Sequence, residues 1–185
     1  MVKESKVAFK NRQIIIDGKP VQIIAGAMHY FRVPREYWRD RMEKAVQMGL
    51  NCLETYMCWN LHERKEGKYD FSGMLDFEEY IRLAQELGLY VIVRPGPYIC
   101  SEWDNGGLPS WLMTKPGLRA RRMNKPYMDA LTRYLKIIAP KLKALQYDDG
   151  GPIIAMQVEN MVKMPLCLWR IRSGKWIHDV TRPDF

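Results

Sequence analysis

The chain has 185 residues, of which 47% are apolar and 27% charged, a composition typical of a globular protein and not of a disordered or fibrous one. It contains no run of about 18 uncharged apolar residues, so we expect no transmembrane helix and no membrane partner. The net charge of +8 raises the question of an acidic partner, but the basic residues are scattered and match no DNA- or RNA-binding motif, so we expect no nucleic-acid partner.

The first predicted elements form a small N-terminal segment. Two short apolar runs within residues 7–21 are separated by turn residues at 11–12 and 17–18, which predicts a short β-hairpin. The nearly continuous apolar run at residues 21–26 is typical of a strand buried on both faces. We therefore expect a hairpin segment over residues 1–20, followed by the first strand of a larger sheet.

Three helices and three further strands follow in alternation. Apolar residues at helical spacing predict two helices that end near Gly49 and Gly88, and Asn124 is a suitable N-cap for a third. Short apolar runs predict strands at residues 51–58, 89–93 and 153–158.

Alternation of this kind implies parallel strands joined by helical crossovers. Residues 26–29 lack the Gly-rich phosphate loop of a dinucleotide-binding fold, so we predict no cofactor. The other large parallel architecture is the (β/α)₈ barrel, which typically needs about 250 residues. The sequence therefore predicts an α/β fold: the first half of a TIM (β/α)₈ barrel, about four βα units, incomplete, with a short N-terminal hairpin.

Aromatic, carboxylate and amide side chains follow each predicted barrel strand. Because the carboxyl ends of parallel strands meet at one edge of a barrel, these side chains are expected to converge. Rings offer a flat apolar platform while carboxylates and amides bond hydroxyl groups, so a sugar-binding pocket is plausible. Glu102 and Asn160 have the strongest functional case, because such groups are costly to bury without a purpose.

Several of these residues also have a purely structural interpretation. His29 and His62 are better explained as satisfying loop backbone groups, and two distant histidines are poor evidence for a metal, so we predict no metal site. Cys100 is better explained as a packed small apolar residue than as a nucleophile. Glu54 is explained equally well as a core carboxylate paired with an arginine.

Four long segments, in this order, carry a more specific signal: GAMHYFRVP at 26–34, TYMCWNLHE at 55–63, RPGPYICSEW at 94–103 and GGPIIAMQVEN at 150–160. Together they resemble glycoside hydrolase family 35, the β-galactosidases. The resemblance implies a barrel fold and retaining hydrolysis of terminal β-galactosides, which uses an acid/base carboxylate and a nucleophilic carboxylate about 5 Å apart. It also implies a galactoside as the substrate.

The resemblance further implies which residues line the galactose site. Glu102 would hold sugar hydroxyls, and Asn160 would bond the hydroxyl beside the reacting carbon. The full set that matches the family pattern is Tyr56, Ile99, Cys100, Ser101, Glu102 and Asn160.

The chain departs from the family pattern directly after Asn160. The family has its acid/base glutamate at the next position, where this chain has Met161, and methionine has no proton to donate. Glu159 is no substitute, because neighbours along a strand point to opposite faces. The family's nucleophile lies on a later strand. We therefore assign no catalytic residue and predict that the chain alone is inactive.

Residues 161–185 do not resemble the family, and we predict a hairpin of residues 166–172 and 175–180 about a Ser173-Gly174 turn. The abrupt change suggests a reading-frame error, with a divergent natural tail as the alternative. This divides the chain into the hairpin segment, a partial catalytic domain at 21–160 and the tail.

Three functional interpretations follow from this division. We favour an inactive fragment of a β-galactosidase. The alternatives are half of a split enzyme, completed by a separate C-terminal half, and a galactose-binding module without catalysis. No apolar segment follows the charged start of the chain, so we expect no secretory signal, a cytoplasmic location and four reduced cysteines.

Overall fold

The computed structural model describes residues 5–158, together with the backbone of two strands at 168–172 and 175–179. Within these residues the chain forms two sheets, a small antiparallel one at the N-terminus and a larger one that begins with four parallel strands. Within the same residues, no helix is both long enough and apolar enough to cross a membrane.

The N-terminal sheet has three antiparallel strands in chain order: β1 (Val7–Lys10), β2 (Gln13–Ile16) and β3 (Lys19–Val21). Both predicted turns are confirmed. Their central residues have positive φ (51° and 61° at 11–12, 48° and 77° at 17–18), as tight two-residue hairpin turns require. The sheet has one strand more than a simple hairpin, because Val21 pairs with Ile14.

Two side chains near the end of the parallel sheet hold the N-terminal sheet in place. The Tyr147 hydroxyl donates a hydrogen bond of 2.6 Å to the Asp17 carboxylate, and the backbone N–H of Lys6 donates one of 2.9 Å to Asp148. The hydrogen bond to Asp17 raises the pKa of Tyr147 to about 12. The N-terminal sheet is thus in direct contact with residues 147–148.

The larger sheet begins with β4 (Ala25–Ala27), β5 (Cys52–Tyr56), β6 (Tyr90–Gly96) and β7 (Ile153–Val158), which lie side by side and parallel. β8 (Leu168–Arg172) pairs antiparallel with β7 and with β9 (Lys175–Asp179). The two tail strands predicted from the sequence are therefore present, while the turn between them lies outside the described residues. The chain forms a partial α/β barrel of about four strand–helix units.

The first barrel strand differs from the prediction. It spans only three residues and begins at Ala25, and its neighbourhood is not buried on both faces: the Ile24 side chain is 48% exposed. β4 lies at the edge of the described sheet, so only one of its sides, the one facing β5, is paired there. A continuous apolar run therefore did not indicate burial here.

In the part of the chain that the structure describes, five α-helices lie between the strands: α1 (Trp38–Gln47), α2 (Trp59–His62), α3 (Phe77–Glu86), α4 (Ser110–Met113) and α5 (Lys125–Lys143). The predicted stops are confirmed, since Gly49 and Gly88 adopt φ of 89° and 77° directly after α1 and α3. The predicted cap is also confirmed, because the Asn124 side chain accepts a hydrogen bond from the backbone N–H of Tyr127.

The core lies between the parallel sheet and these helices, and it is rich in large rings. Trp38 of α1 meets Tyr80 of α3 edge-on at 5.1 Å, and Trp59 of α2 stacks on Tyr134 of α5 at 4.7 Å. Such ring pairs stabilise a core beyond the area that they bury. They fix α2, and with it the loop after β5, against the long helix α5.

A fully buried carboxylate lies in the same region. Glu63 accepts a hydrogen bond of 2.6 Å from the Trp59 indole N–H and one of 2.7 Å from the backbone N–H of Gly67. The Arg133 guanidinium of α5 lies 3.3 Å from the same carboxylate. Glu63 therefore links α2, the loop that follows it and α5 through the Trp59 indole, the Gly67 backbone and the Arg133 guanidinium.

His62 is also buried, and its ring nitrogens are both engaged. The Tyr30 hydroxyl lies 2.5 Å from Nε2, and Nδ1 lies 2.9 Å from the carbonyl oxygen of Asp70, so Nδ1 is the donor and Nε2 the acceptor. Burial lowers the pKa of His62 to about 4. The structural interpretation of His62, as a group that satisfies loop backbone, is thus confirmed.

This histidine predicts a loss of stability in acid. The pKa of His62 in the folded chain is below its ordinary value of 6.5. The stability that the neutral ring contributes to the fold is therefore complete above pH 6.5 and is lost as the pH falls towards 4. Between pH 7 and pH 5 we expect His62 to reduce the free energy of unfolding by about 2 kcal/mol. Urea unfolding at both pH values measures this. His62→Gln keeps an acceptor for Tyr30 without titrating, so an equally steep fall in that variant would contradict the assignment.

Candidate functional site

The candidate site lies at the carboxyl ends of the parallel strands, which we call the rim. Tyr56 is the last residue of β5, and β6 ends at Gly96, from which the chain enters the loop 97–109 that carries residues 99–102. Parallel strands present their carboxyl ends to the same side of a sheet, so these residues are brought together although they are more than 40 positions apart.

The loop 97–109 is held in shape by its own backbone. The N–H of Ile99 donates a hydrogen bond of 2.8 Å to the carbonyl of Gly106, and the N–H of Gly106 donates one of 2.8 Å to that of Trp103. Gly106 has a φ of +61°, and the Tyr98 ring lies where a side chain at 106 would be. The Arg121 guanidinium covers the same ring at 3.9 Å. The close packing of the Tyr98 ring on Gly106 thus fixes the turn in the loop that carries Glu102.

The predicted site residues fall into two groups by exposure. Tyr56, Ile99 and Cys100 are buried, whereas Ser101 and Glu102 are exposed. The burial argument used for Glu102 is therefore wrong, because its carboxylate faces solvent at the rim. Asn160, like Glu159 and Met161, lies outside the described residues.

The pKa values of Tyr56, Cys100 and Glu102 are coupled to one another. The pKa of Glu102 is lowered first by a side-chain hydrogen bond from the Cys100 thiol, and further by the charges of Arg32 and His29. The pKa of Cys100 is raised, mainly by burial and then by Glu102, while a side-chain hydrogen bond with Tyr56 acts in the opposite direction. Cys100 is thus a packed, protonated thiol, as expected.

Beneath Tyr56 lies an ion pair between neighbouring strands. Arg94 of β6 donates a hydrogen bond of 2.8 Å from Nη1 to the Tyr56 hydroxyl, and its Nε lies 3.0 Å from Oε1 of Glu54 in β5. Both charged side chains are about one-fifth exposed, at 21% and 23%. The interpretation of Glu54 as a carboxylate paired with an arginine is confirmed. The role of Arg94 itself was missed.

An aromatic stack covers the other side of Tyr56. The His29 ring stacks on Tyr56 at 4.3 Å and on Phe31 at 5.4 Å, and Phe31 meets Trp103 edge-on at 4.8 Å. His29 Nδ1 accepts a weak hydrogen bond of 3.4 Å from the backbone N–H of Tyr56, so it satisfies a backbone group, as predicted. Burial, with the charges of Arg32 and Arg94, lowers the pKa of His29 to about 4. The ring is therefore neutral at pH 7.

The rim can bind hydroxyl groups but has a limited chemical repertoire. Glu102 offers an ionised acceptor at the rim, and the Arg32 guanidinium lies 5.0 Å above the Trp103 ring. Among the residues that the structure describes, no three His, Cys, Asp or Glu side chains are grouped as metal ligands. This chemistry suits a neutral polyhydroxyl ligand such as a sugar.

Comparison with known families agrees with the four segments noted in the sequence. The model of the glycosyl hydrolases family 35 matches residues 13–170. Its match continues ten positions past residue 160, so it places no boundary at the predicted start of the tail, and the division of the chain stays a prediction.

Curated relatives match over most of this chain. The β-galactosidase of Bos taurus is 49% identical over 155 residues, covering 84% of this chain and 24% of the relative. β-Galactosidase-1-like protein 3 of Rattus norvegicus is 54% identical over 145 residues (78% and 23%), and β-galactosidase-1-like protein 2 of Homo sapiens is 53% identical over 151 residues (82% and 24%). The chain spans about a quarter of the length of these relatives.

Solved structures support the fold. A GH5_18 protein from Streptomyces cattleya, in complex with GlcNAc, has a TM-score of 0.57 at 16% identity. The matched region covers 74% of this chain and 33% of the chain of that protein. The exo-β-1,4-mannosidase Op5Man5 from Opitutaceae bacterium strain TAV5 has a TM-score of 0.56 at 17% identity, with coverages of 75% and 24%. At this level of identity the likeness concerns the fold alone.

Proposed function

The chain belongs to the glycosyl hydrolases family 35, and from this premise we propose that its rim forms the galactose-contacting part of a retaining β-galactosidase site acting on terminal β-galactosides. In this proposal Glu102 accepts hydrogen bonds from sugar hydroxyls and Tyr56 lies beneath the sugar. Ile99, Cys100 and Ser101 line the same site. Asn160 contacts the hydroxyl beside the reacting carbon.

The observation that carries the proposal is the electrostatic coupling of Tyr56, Cys100 and Glu102 at the rim. These residues come from two different strand ends, and the carboxylate among them is ionised and exposed. A carboxylate with only a structural role would be expected to pair with a cation across a strand, as Glu54 does. Glu102 instead leaves acceptor capacity directed to solvent at the rim.

A chimera tests whether these residues support the activity. Residues 13–158 of this chain would replace the matching segment of the Bos taurus relative, and the product would be assayed with a chromogenic β-galactoside. We expect hydrolysis, and we expect Glu102→Gln to lower kcat/KM by about 100-fold, since hydrogen bonds to the sugar strengthen in the transition state.

The matched control in the chimera is Glu66→Gln, because Glu66 is a surface carboxylate paired with Lys115, far along the sequence from the rim loop. Its kcat/KM should stay within about twofold of the parent. A folded chimera without activity, or equal losses from both substitutions, would count against the proposed site.

The isolated 185-residue chain is expected to show no turnover of the same substrate above a blank. The family pattern places the acid/base at position 161, where methionine cannot transfer a proton, and assigns the nucleophile to a later strand. Met161→Glu should therefore remain inactive, since it restores one of the two carboxylates. Turnover by the purified chain would refute this expectation.

A second candidate is half of a split enzyme. The observation in its favour is the edge strand β4, which is paired on one side in the described sheet and is preceded by the half-exposed Ile24. Open edges of this kind accept another strand. Co-expression with a separate C-terminal half should yield a complex with activity, whereas recovery of the two as separate, inactive chains would dismiss the idea.

A galactose-binding module without catalysis makes a different prediction. Titration calorimetry of the chain with galactose should then show heat. We expect none, because the family's pocket also draws residues from later strands. Heat of binding without turnover would favour the module over the inactive fragment.

A further inference from the structure

We propose that Asn60 is a positioning residue of the rim, which ties the turn that carries Glu102 to helix α2 through hydrogen bonds to Trp103 and Asp104. The importance of this tie for sugar hydrolysis rests on the function proposed above. The tie itself is a property of the unliganded protein, so it can be tested without a sugar.

Glu102 lies within a four-residue turn, which we call the Glu102 turn (residues 100–103). The backbone N–H of Trp103 donates a hydrogen bond of 3.4 Å to the carbonyl of Cys100. Ser101 and Glu102 therefore occupy the two central positions of the turn. The Cys100 end is buried, with an exposed fraction of 3%. The position of the Glu102 carboxylate thus depends on what holds the other end, at Trp103.

That end is held by the side-chain amide of Asn60. Its Oδ1 accepts a hydrogen bond of 3.2 Å from the Trp103 indole N–H, and its Nδ2 donates one of 3.3 Å to the backbone carbonyl of Asp104. Because an indole N–H only donates and a carbonyl only accepts, these partners also determine which way round the amide lies. The two bonds fix consecutive residues, one through its side chain and one through its backbone.

The amide of Asn60 is itself fixed in place. The Cys58 thiol donates a second hydrogen bond, of 2.8 Å, to Oδ1. Burial raises the pKa of Cys58 to about 12, so the thiol keeps its proton at pH 7 and remains a donor. Asn60 belongs to α2, whose Trp59 and His62 side chains are fully buried in the core. The Glu102 turn is therefore attached to a helix that the core holds rigidly.

Asparagine supplies both a donor and an acceptor at short reach. Aspartate in its place would offer acceptors but no donor for the Asp104 carbonyl, and alanine would offer neither. The other contacts of the Trp103 ring are edge-on with Phe31 at 4.8 Å and with the Arg32 guanidinium at 5.0 Å. Those contacts hold the ring, whereas the bonds from Asn60 also fix the backbone that follows it.

The test is amide hydrogen exchange in the 185-residue chain without sugar. The backbone N–H groups of Ile99, Trp103 and Gly106 close the loop around the Glu102 turn, so their exchange reports its local opening. We expect Asn60→Ala to speed exchange at these amides by about tenfold and to leave the amides of β5 and β6 unchanged.

Asn51→Ala is the matched control. The Asn51 side chain also bonds to backbone groups, accepting from the N–H of Ile24 and donating to the carbonyl of Gln22, both at 2.8 Å. It lies directly before β5, at the end of the strand opposite to the rim. The control should leave exchange in the Glu102 turn unchanged. Equal acceleration by the two substitutions, or none by Asn60→Ala, would overturn the proposal.

A second variant keeps the test decisive if Asn60→Ala fails to fold. Trp103→Phe keeps a ring against Phe31 and removes the indole N–H, so it should speed exchange at Gly106 as well. In the double variant the two effects should add to less than their sum, because both substitutions remove the same bond. Fully additive effects, or no effect of Trp103→Phe, would contradict the proposal.

The chimera described above addresses the role of Asn60 in the reaction. There Asn60→Ala should lower kcat/KM by about tenfold and should add nothing to Glu102→Gln, because Asn60 acts through Glu102. An equal loss in both backgrounds would contradict this route. An inactive chimera would count against the proposed function, whereas the exchange measurement would still decide whether Asn60 holds the turn.

Discussion

Gly106→Ala is expected to reduce the free energy of unfolding by about 2–5 kcal/mol and to displace the loop that carries Glu102. A Cβ at this position would lie 1.9 Å from Cε2 and 2.3 Å from Cδ2 of the Tyr98 ring, which is far inside contact distance. The ring cannot easily turn away, because Arg121 lies on it at 3.9 Å. The positive φ of 61° adds backbone strain. Urea unfolding of the purified variant measures the loss.

Gly117→Ala is the matched control for this substitution. Gly117 has a φ of +71°, but no atom lies within 4 Å of the position that its Cβ would occupy. It should therefore show only the backbone cost, about 1 kcal/mol. Equal losses in the two variants would mean that the contact with Tyr98 does not hold the loop.

Glu63→Ala is expected to cost about 3–5 kcal/mol of stability. The substitution leaves the buried Trp59 indole N–H and the Gly67 N–H without their acceptor, and it removes the carboxylate that lies 3.3 Å from Arg133. The stranded indole N–H of the buried Trp59 is the costly part of this change. The midpoint of urea unfolding should fall accordingly, with the m-value unchanged.

Glu66→Ala provides the comparison for the buried carboxylate. Glu66 also pairs with Arg133, at 3.0 Å, and with Lys115, at 2.8 Å, but its side chain is 42% exposed. Water replaces such partners, so the loss should be at most about 1 kcal/mol. A loss as large as that of Glu63→Ala would show that the charge of Arg133, rather than burial, decides the cost.

The sequence predicts local structure well where residue type alone sets the conformation. Asp17-Gly18 is a turn because both residues tolerate positive φ, and Gly49 ends α1 for the same reason. The third strand of the N-terminal sheet was not predicted, because residue 21 was assigned to the first barrel strand, and the proline at position 20 is uncommon within strands. β3 is nonetheless an edge strand, where a missing N–H costs nothing.

The candidate site was predicted in part. The resemblance brought Tyr56 and Glu102 to the same rim, but it did not indicate that Arg94 supports Tyr56, since that contact depends on the register of β5 against β6. A period-two count along the two strands could have suggested it. The burial of Glu63 depends on contacts with Trp59, Gly67 and Arg133. No local sequence pattern indicates that these residues come together in the fold.

The anchoring of the N-terminal sheet has a consequence for the order of folding. Asp17 and Tyr147 are 130 positions apart, so their hydrogen bond forms only after nearly the whole described chain is available. At ribosomal rates the two residues emerge roughly 10 s apart. The two N-terminal turns are local and can form within microseconds, yet the sheet that they build must wait for its docking surface. This contact therefore forms late, because it joins the N-terminal sheet to a residue 130 positions further along the chain.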